Sequence, residues 1–581
     1  MRCYGSGVGK NWPLIAVILL GPLLVAWPLP VVWADEWLTL PSGEAGIHVW
    51  GLWATSAAHN LFTIDTHSIA WPEGVTAVLA DPANLPWFLV GWQWGPEAAY
   101  NTVLYANIAL LGLAGAALAR AVGGSLVLGA FAGMLNASVL AAATTGITEQ
   151  LGVGWIGLSI AALLRTNRTA TIRDAIIAGI CIAMCVASGP YNGVWIALIA
   201  TGMGVATLVP SDRRMRLLPL GITAATAGAL ASPLIRAVLS GRIAGQPGTP
   251  EMARTVLGIP AANPMLFRGG IRFGTDLTDP FFPVWMTGGA GMPNHTAYLG
   301  AFALIAAVIV VFKQRRLWPW LAGALIFSVL SLGPWLVWKG VPMRVGGDPL
   351  LAPAGWMATN LPFFSRISHW HRAGAVAALL LVPLVSLVPT LRPQRWIGPA
   401  IGALLLLDRI VGFPVGWPLP STSGPDTAVY ASLAQQKGAV LVLPTRFPDN
   451  LGPRARWRDP SLMAQLYHGH PISEAAAMGH KRASTGQHAG DLLQQLGRTG
   501  RVDQGHRDAF KGPGFVWLAV YNRHMRADSS RDRAWRSCLG GVVAQTSDVT
   551  LYKLDGGISE QCLDGAQPTA GTPAPGAPQT F

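Results

Sequence analysis

Acidic side chains and histidines are concentrated in one stretch of the chain, residues 35–96, which contains no Lys or Arg. Within it, Glu44 is followed four residues later by His48. In a helix that begins near Gly43, side chains spaced in this way share one face. A carboxylate at this position could act as a general base that removes a proton from a hydroxyl group. The alternative is a solvated carboxylate, which the helix dipole favours at a helix N-terminus.

Other side chains of the same stretch offer further candidates. Asp35 and Glu36 lie nearer to the preceding apolar run and are alternatives for the same basic role. His59, Asp65 and His67 are candidate ligands of a divalent metal, although their spacing matches no strong zinc-binding motif. The stretch therefore predicts a general base, with a metal site as an undecided alternative.

A cationic cluster lies far along the chain from this acidic stretch. Arg366, His369, His371 and Arg372 fall within seven residues, directly before an apolar run. Guanidinium groups form paired hydrogen bonds with phosphate oxygens, so the cluster predicts a phosphate-binding site. The alternative is that these side chains reach lipid head groups at a membrane surface. Arg268 could add to the same site.

The composition indicates what positions these residues. The chain has 581 residues, of which 51% are hydrophobic and 12% are charged. Soluble domains carry about 25% charged residues, so this composition with repeated apolar runs predicts a mainly α-helical, polytopic membrane bundle. The net charge of +13 does not indicate nucleic-acid binding, because much of the positive charge lies in short clusters between apolar runs.

The apolar runs predict about eleven membrane helices. Loops on one side carry basic residues, such as Arg213, Arg214 and Arg216, and the short loops on the other side carry none. The positive-inside rule then places the N-terminus, an uncleaved signal anchor, in the cytoplasm and the C-terminal third outside. The predicted helices are 12–33, 99–120, 124–144, 151–165, 173–189, 192–209, 216–238, 297–313, 317–337, 373–390 and 396–413.

This topology brings the candidate residues to the outer side of a membrane domain that spans 1–415. Its outer loops are a long first loop, 34–98, and two later loops near 239–296 and 338–372. Glu149 and Tyr191 lie at short outer turns that would ring a shared cavity with Glu44 and Arg372. Asp408 and Arg409, near the end of the last span, are expected to pair structurally.

The composition changes after Pro414. Residues 416–564 are mixed polar, with strand-like runs at 438–444, 514–522 and 549–555, and predict a soluble extracytoplasmic α/β domain. Cys538 and Cys562 both fall in it, and we expect them to form a disulfide. The Pro/Ala/Gly/Thr-rich tail, 565–581, is predicted to be disordered.

The order of several motifs resembles that of a known family. After the first apolar helix come HNLFTIDTHSIAWPEG (59–74) and AYNTVLYANIALLGLAGAALAR (99–120). Later motifs are SGPYNGVW (188–195), NLPFFSRISHWHRAG (360–374) and QLYHGHPI (465–472). Their order is similar to that of bacterial polytopic membrane proteins related to the C-type (GT-C fold) glycosyltransferases, which use lipid-phosphate-linked sugars.

The resemblance implies a GT-C-like fold and an inverting glycosyltransferase of the bacterial inner membrane. A polyprenyl-phosphate sugar would be the donor, and a glycan or another envelope component would be the acceptor on the outer face. The cluster around Arg372 would hold the donor phosphate and Glu44 would be the base. Family members commonly carry Asp at the position of Glu44, so Asp35 and Glu36 stay open as alternatives. A non-catalytic envelope protein that binds or transports glycans or lipids is the alternative function.

Overall fold

The computed structural model divides the chain into two compact units. The first comprises Met1–Ile64 and Ala77–Gly424, and the second comprises Asp65–Thr76 and Pro425–Phe581. The structure describes residues 12–40, 43–58, 63–78, 81–208, 214–239, 274–283, 296–361, 364, 367, 369–391, 394–412, 416–433, 437–444, 460–473, 484–506, 510, 512–525, 529–554 and 557–564.

The first unit is built mainly of helices. Short strands accompany them, including Glu36–Trp37, which pairs antiparallel with Thr422–Ser423. The α-helices of the described part are Trp12–Val25, Leu29–Val32, Ala45–Ala58, Leu85–Trp92, Pro96–Val122, Leu126–Met134, Ala137–Thr144, Gly154–Thr169, Ile172–Ser188, Pro190–Leu208, Arg214–Leu239, Ala301–Lys313, Trp318–Ser331, Pro353–Asn360, Ala373–Ser386, Val388–Leu391 and Ile397–Gly412. The remaining strands among the described residues before 425 are Thr63–Thr66, Val75–Val78, Val337–Trp338, Val341–Pro342, Arg344–Val345 and Asp348–Pro349.

Four segments of the described residues are long and apolar enough to cross a membrane. They are Pro96–Val122, Leu126–Thr144, Leu217–Arg236 and Trp370–Leu391. The helices Trp12–Val25 and Ala301–Lys313 are apolar but shorter. The described part of the chain is therefore mainly helical with four candidate membrane spans, and the total of about eleven spans stays a prediction.

The predicted single helix 124–144 is two helices in the structure. The break lies at Asn136, whose Oδ1 accepts a hydrogen bond from the Val139 N–H at 3.3 Å. Its Nδ2 donates to the Ala375 carbonyl at 2.8 Å. An Asn side chain that caps a new helix start in this way competes with continuation of the first helix.

Glycines allow the helices Pro96–Val122 and Leu126–Met134 to approach closely. A Cβ atom on Gly115 would lie 2.1 Å from the Gly129 carbonyl oxygen, and one on Gly133 would lie 2.4 Å from the Leu111 carbonyl oxygen. Both distances are too short for a side chain. Small residues of this kind let membrane helices pack backbone against backbone.

The second unit contains a four-stranded sheet. In spatial order its strands are Val542–Gln545, Val549–Lys553, Phe515–Tyr521 and Ala439–Leu443. The last two are parallel and the other neighbours are antiparallel. The α-helices among the described residues of this unit are Pro460–His468, Ser484–Thr499 and Ser529–Cys538. Buried apolar residues such as Leu441, Leu493, Leu518 and Trp535 form its core.

A short piece of the 34–98 segment belongs to the second unit. The Trp71 N–H donates to the Ile472 carbonyl at 3.1 Å, and its indole N–H donates to the Pro513 carbonyl at 2.6 Å. Glu73 accepts hydrogen bonds from the backbone and the hydroxyl of Thr485. The predicted boundary at residue 416 leaves this piece in the membrane domain, because composition cannot reveal pairing between residues so far apart in the chain.

Cys538 and Cys562 are joined by a disulfide, with their Cα atoms 5.8 Å apart. Because the bond closes a loop with a sequence separation of 24 residues, we expect it to stabilise the unit by about 3 kcal/mol. Thiol labelling of the denatured, unreduced protein should leave both cysteines unlabelled, with Cys181 and Cys185, the free cysteines of the described residues, as labelled internal controls. Labelling of both Cys538 and Cys562 would contradict the disulfide.

Candidate active site

The backbone around Glu44 is held against a turn between two helices. The Glu44 N–H donates to the Thr145 carbonyl at 2.7 Å. The next residue of that turn is Gly146, which has a φ of 78°. A Cβ atom on Gly146 would lie 2.2 Å from the backbone nitrogen of Ala45. Only glycine therefore lets this turn touch the start of the helix that follows Glu44.

Glu44 and His48 share one face of that helix. The Glu44 Oε2 and His48 Nε2 atoms are 3.9 Å apart, and the side chains are 33% and 12% exposed. This separation is longer than the about 3.2 Å that a direct proton transfer requires, so a small side-chain movement must bring the carboxylate and the imidazole together before a proton passes between them.

A buried ion pair lies at the centre of the site. Arg372 Nη1 donates to Glu149 Oε1, and the two side chains are 7% and 15% exposed. The Arg372 guanidinium also lies over the Tyr191 ring, 4.5 Å from its centroid. The Nε–H of Arg372 is buried and has no hydrogen-bond partner among the residues that the structure describes. This Nε–H is therefore a candidate donor for a ligand.

Tyr191 and His369 extend this cluster. The Tyr191 hydroxyl oxygen accepts from the His369 backbone N–H at 3.3 Å. The same hydroxyl is hydrogen-bonded to His369 Nδ1 at 3.0 Å. If the hydroxyl donates this second bond, Nε2 carries the proton of a neutral His369 and can donate it to a ligand. His371 lies next to His369, with ring centroids 5.7 Å apart.

The turn that carries Glu149 is hydrogen-bonded to the helix that carries Tyr191. Asn192 Nδ2 donates to the Glu149 carbonyl at 3.2 Å and to the Ser188 hydroxyl at 3.1 Å. A Cβ atom on Gly189 would lie 2.6 Å from the Glu149 carbonyl oxygen, so the contact requires glycine there. This packing explains how the ion pair and the tyrosine come together.

The electrostatics favour an ionised Glu149. Burial alone would raise the pKa of Glu149, but Arg372, His48 and His369 together hold this pKa below its ordinary value. Glu149 is therefore a carboxylate at neutral pH and is unsuited to donate a proton. Glu44 also interacts electrostatically with Arg372, which links the first acidic stretch to the cationic cluster.

Asp81 is a site residue that the sequence analysis did not single out. It is 1% exposed, and its Oδ2 accepts hydrogen bonds from the Thr148 hydroxyl and from Asn84 Nδ2. Its Oδ1 is buried without a hydrogen-bond partner in the described part of the chain. Burial raises the pKa of Asp81, and nearby His48 opposes that rise. In the sequence, the signal that could have identified Asp81 is an Asp between apolar residues, three positions before an Asn.

Asp35 and Glu36, the alternative bases, make no described contact with the Glu149–Arg372 pair. Asp35 is exposed, and the Glu36 carboxylate accepts a hydrogen bond from the Ser421 hydroxyl beside its strand. Arg268, Arg366 and His59 lie outside the described residues. Within the described ranges, no group of three or more His, Cys, Asp or Glu side chains is arranged to hold a metal ion. A divalent metal stays the untested alternative that the sequence analysis left open.

Comparisons with known proteins identify the fold. No protein-family model matches the chain, and no curated protein matches it. Among solved structures, arabinofuranosyltransferase AftD from Mycobacteria matches 94% of this chain with 16% identity and a TM-score of 0.51. The match covers 40% of the AftD chain, so this protein spans less than half of its length.

Two further structures are similar at lower scores. ArnT from Cupriavidus metallidurans bound to undecaprenyl phosphate has 13% identity and a TM-score of 0.45, and the match covers 94% of this chain and 98% of ArnT. The apo Archaeoglobus fulgidus oligosaccharyltransferase has 12% identity and a TM-score of 0.44, with 95% and 75% covered. These neighbours are GT-C fold glycosyltransferases. The likeness to AftD confirms the fold that the sequence resemblance implies: the chain has the GT-C fold.

Proposed function

We propose that the protein is a membrane glycosyltransferase that moves a sugar from a polyprenyl-phosphate donor to an envelope acceptor. The observation that carries the proposal is the electrostatic interaction of Glu44 and His48 with the buried Glu149–Arg372 pair. Glu44 interacts electrostatically with Arg372, and the Nε–H of Arg372 is buried with no hydrogen-bond partner among the described residues. The shared fold with a glycosyltransferase supports it.

In the proposed reaction, Glu44 removes the proton from the acceptor hydroxyl. The hydroxyl oxygen then attacks the anomeric carbon as the bond from that carbon to the phosphate oxygen breaks. The polyprenyl phosphate leaves with the electron pair of that bond, and the configuration of the sugar inverts. His48 relays the proton from Glu44 toward solvent, since its imidazole can both accept and donate.

The leaving phosphate is held by the cationic cluster. Arg372 offers its buried Nε–H, and the imidazole of His369, which is hydrogen-bonded to the Tyr191 hydroxyl, adds positive charge to the cluster when it is protonated. Donors held in place before the reaction stabilise the charge that develops on the leaving phosphate. Glu149 keeps Arg372 in position, because a paired guanidinium is fixed in direction.

The Arg372→Ala variant tests the donor site. We expect its affinity for a polyprenyl phosphate to fall about 10- to 100-fold, because hydrogen bonds to a charged group are lost. Arg372→Lys should restore part of the affinity, since it keeps the charge but not the paired geometry. Binding is measured by titration of the purified protein.

Arg344→Ala is the matched control, because Arg344 lies in an exposed hairpin where it donates to the Gly347 carbonyl. It should bind as the wild type does. Equal affinity of Arg372→Ala and the wild type would contradict the donor site.

The proposal requires the site to face the outer side of the inner membrane. We propose a topology of eleven spans with a cytoplasmic N-terminus, in which residues 416–564 form an extracytoplasmic acceptor-binding domain. This topology meets the requirement. The basic loops inside and the disulfide in the second unit support it.

Topology is tested by reporter fusions. A periplasm-active reporter fused after Pro420 is expected to be active, and one fused near Arg214 is expected to be silent, because that basic loop stays in the cytoplasm. The opposite pattern would place the site on the wrong side of the membrane and refute the topology.

A further inference from the structure

Two histidines of the motif QLYHGHPI (465–472) lie together in the second unit. His468 ends the helix Pro460–His468, and His470 follows it after one glycine. Their ring centroids are 5.6 Å apart, and the ring planes are inclined by 37° to each other. Both residues are partly exposed, so a ligand can reach them.

Backbone contacts fix which nitrogen of each ring carries the proton. The His470 N–H donates to His468 Nδ1 at 3.0 Å, so a neutral His468 carries its proton on Nε2. His470 Nδ1 is hydrogen-bonded to the Gly438 carbonyl oxygen at 3.0 Å. Because a carbonyl oxygen can only accept, this Nδ1 carries a proton, and a neutral His470 has its lone pair on Nε2. The pair therefore presents one donor, His468 Nε2–H, and one acceptor, His470 Nε2.

The donor and the acceptor keep their roles at neutral pH. The hydrogen bonds of the two side chains with described residues engage their Nδ1 atoms and leave the Nε2 atoms for a ligand. Partial burial, and to a smaller extent the neighbouring His470, lower the pKa of His468 to about 3. His468 is therefore neutral at neutral pH and carries a single proton, on Nε2.

The loop that carries His470 is held in place. Gln465 Nε2 donates to the His470 carbonyl at 2.8 Å and to the Ser68 carbonyl at 2.6 Å. The Ile472 N–H donates to the same Ser68 carbonyl at 2.9 Å. Between the two histidines, Gly469 has a φ of 69°, and a Cβ atom there would meet none of the described residues within 4 Å. The loop is thus fixed before a ligand binds and has open space beside it, which lowers the entropic cost of binding.

We propose that His468 and His470 bind hydroxyl groups of an uncharged sugar in the envelope acceptor. His468 Nε2–H donates to a hydroxyl oxygen, and His470 Nε2 accepts the hydrogen of the same hydroxyl group or of its neighbour on the sugar ring. A hydroxyl group both accepts and donates, as this pair requires. A carboxylate or a phosphodiester has no donor for His470, and an ammonium group has no acceptor for His468. The inference rests on the proposed function in one point, that the second unit meets a glycan acceptor.

Saturation-transfer NMR of the full chain in nanodiscs, free of sugar-based detergent, tests this site with neutral methyl glycosides of common pentoses and hexoses as probes. We expect at least one glycoside to receive saturation from the wild-type protein and to stay bound in excess acetate, which offers only acceptors. No donor lipid is added, so the outcome does not depend on sugar transfer. If no glycoside receives saturation, or if acetate displaces it, the site is wrong, whereas the transferase reaction itself is tested by the glycans of intact cells.

Two variants remove the ligand-binding atoms and keep the contacts within the protein. His468→Asn retains an acceptor for the His470 N–H, and His470→Asn retains a donor for the Gly438 carbonyl, because the Asn amide reaches about as far as Nδ1. Both variants lack an atom at the Nε2 position, so we expect the dissociation constant of the glycoside to rise about 3- to 10-fold, as for the loss of one neutral hydrogen bond. His488→Asn, which changes an exposed histidine of the same unit, is the matched control and should bind as the wild type does. Unchanged affinity of both His468→Asn and His470→Asn would place the sugar elsewhere and overturn the site.

Discussion

Glu44→Gln is expected to lower the rate of sugar transfer by about 10²- to 10⁴-fold, the usual contribution of a general base. Gln keeps the size and hydrogen-bonding shape of Glu44 but cannot accept the proton of the acceptor hydroxyl. Because the donor phosphate is held by the cluster around Arg372, donor affinity should stay nearly unchanged. The measurement compares transfer rates and donor binding of the purified variant with those of the wild type.

Asp35→Asn is the matched control, since Asp35 is an exposed acid of the same segment. It should transfer sugar as fast as the wild type. If Asp35→Asn abolishes transfer and Glu44→Gln does not, the base is Asp35 and the proposed site is wrong. If neither changes the rate, the protein does not use a base from this segment.

Glu149→Gln is expected to lower the free energy of unfolding by about 3–5 kcal/mol, because it leaves the Arg372 charge buried without its partner. The pKa of Glu149 is lowered in the folded protein. Its stabilising contribution is therefore fully present above the ordinary carboxyl pKa and is lost as the pH falls through the lowered value. Unfolding in mixed detergent at several pH values measures both effects, and this acid-dependent loss should be absent from Glu149→Gln.

The double variant Glu149→Gln/Arg372→Met separates pairing from packing. It removes both charges, so we expect it to be more stable than Glu149→Gln alone. Arg344→Met is a control, because Arg344 lies in an exposed hairpin, where a substitution changes stability by about 0.5 kcal/mol or less. If the double variant is less stable than Glu149→Gln, the unpaired Arg372 charge is not what destabilises the single variant.

Local patterns predict only part of the site. The spacing of Glu44 and His48 places both on one helical face, and the structure has them 3.9 Å apart. The sequence also groups the cations around Arg372, but it does not reveal that Arg372 pairs directly with Glu149. Those residues are 223 positions apart, and only the packing of helix ends decides such a contact.

The parts that sequence patterns missed depend on side chains with specific distant partners. Asp81 lies in the site because Asn84 and Thr148 hold its carboxylate in a buried position. Asn136 breaks an apolar run because it both caps a helix and reaches Ala375. Hydropathy averages over such residues and therefore predicts the bundle without its breaks.

The most direct test of a transferase is mass spectrometry of envelope glycans and polyprenyl-phosphate sugars from three matched strains: wild type, deletion, and deletion complemented with Glu44→Gln. We expect one lipid-linked sugar to accumulate and one envelope glycan to lose that sugar in the deletion strain and equally in the Glu44→Gln strain. Unchanged glycans and lipid-linked sugars in the deletion strain, or full restoration by Glu44→Gln, would contradict a transferase that uses Glu44 as its base.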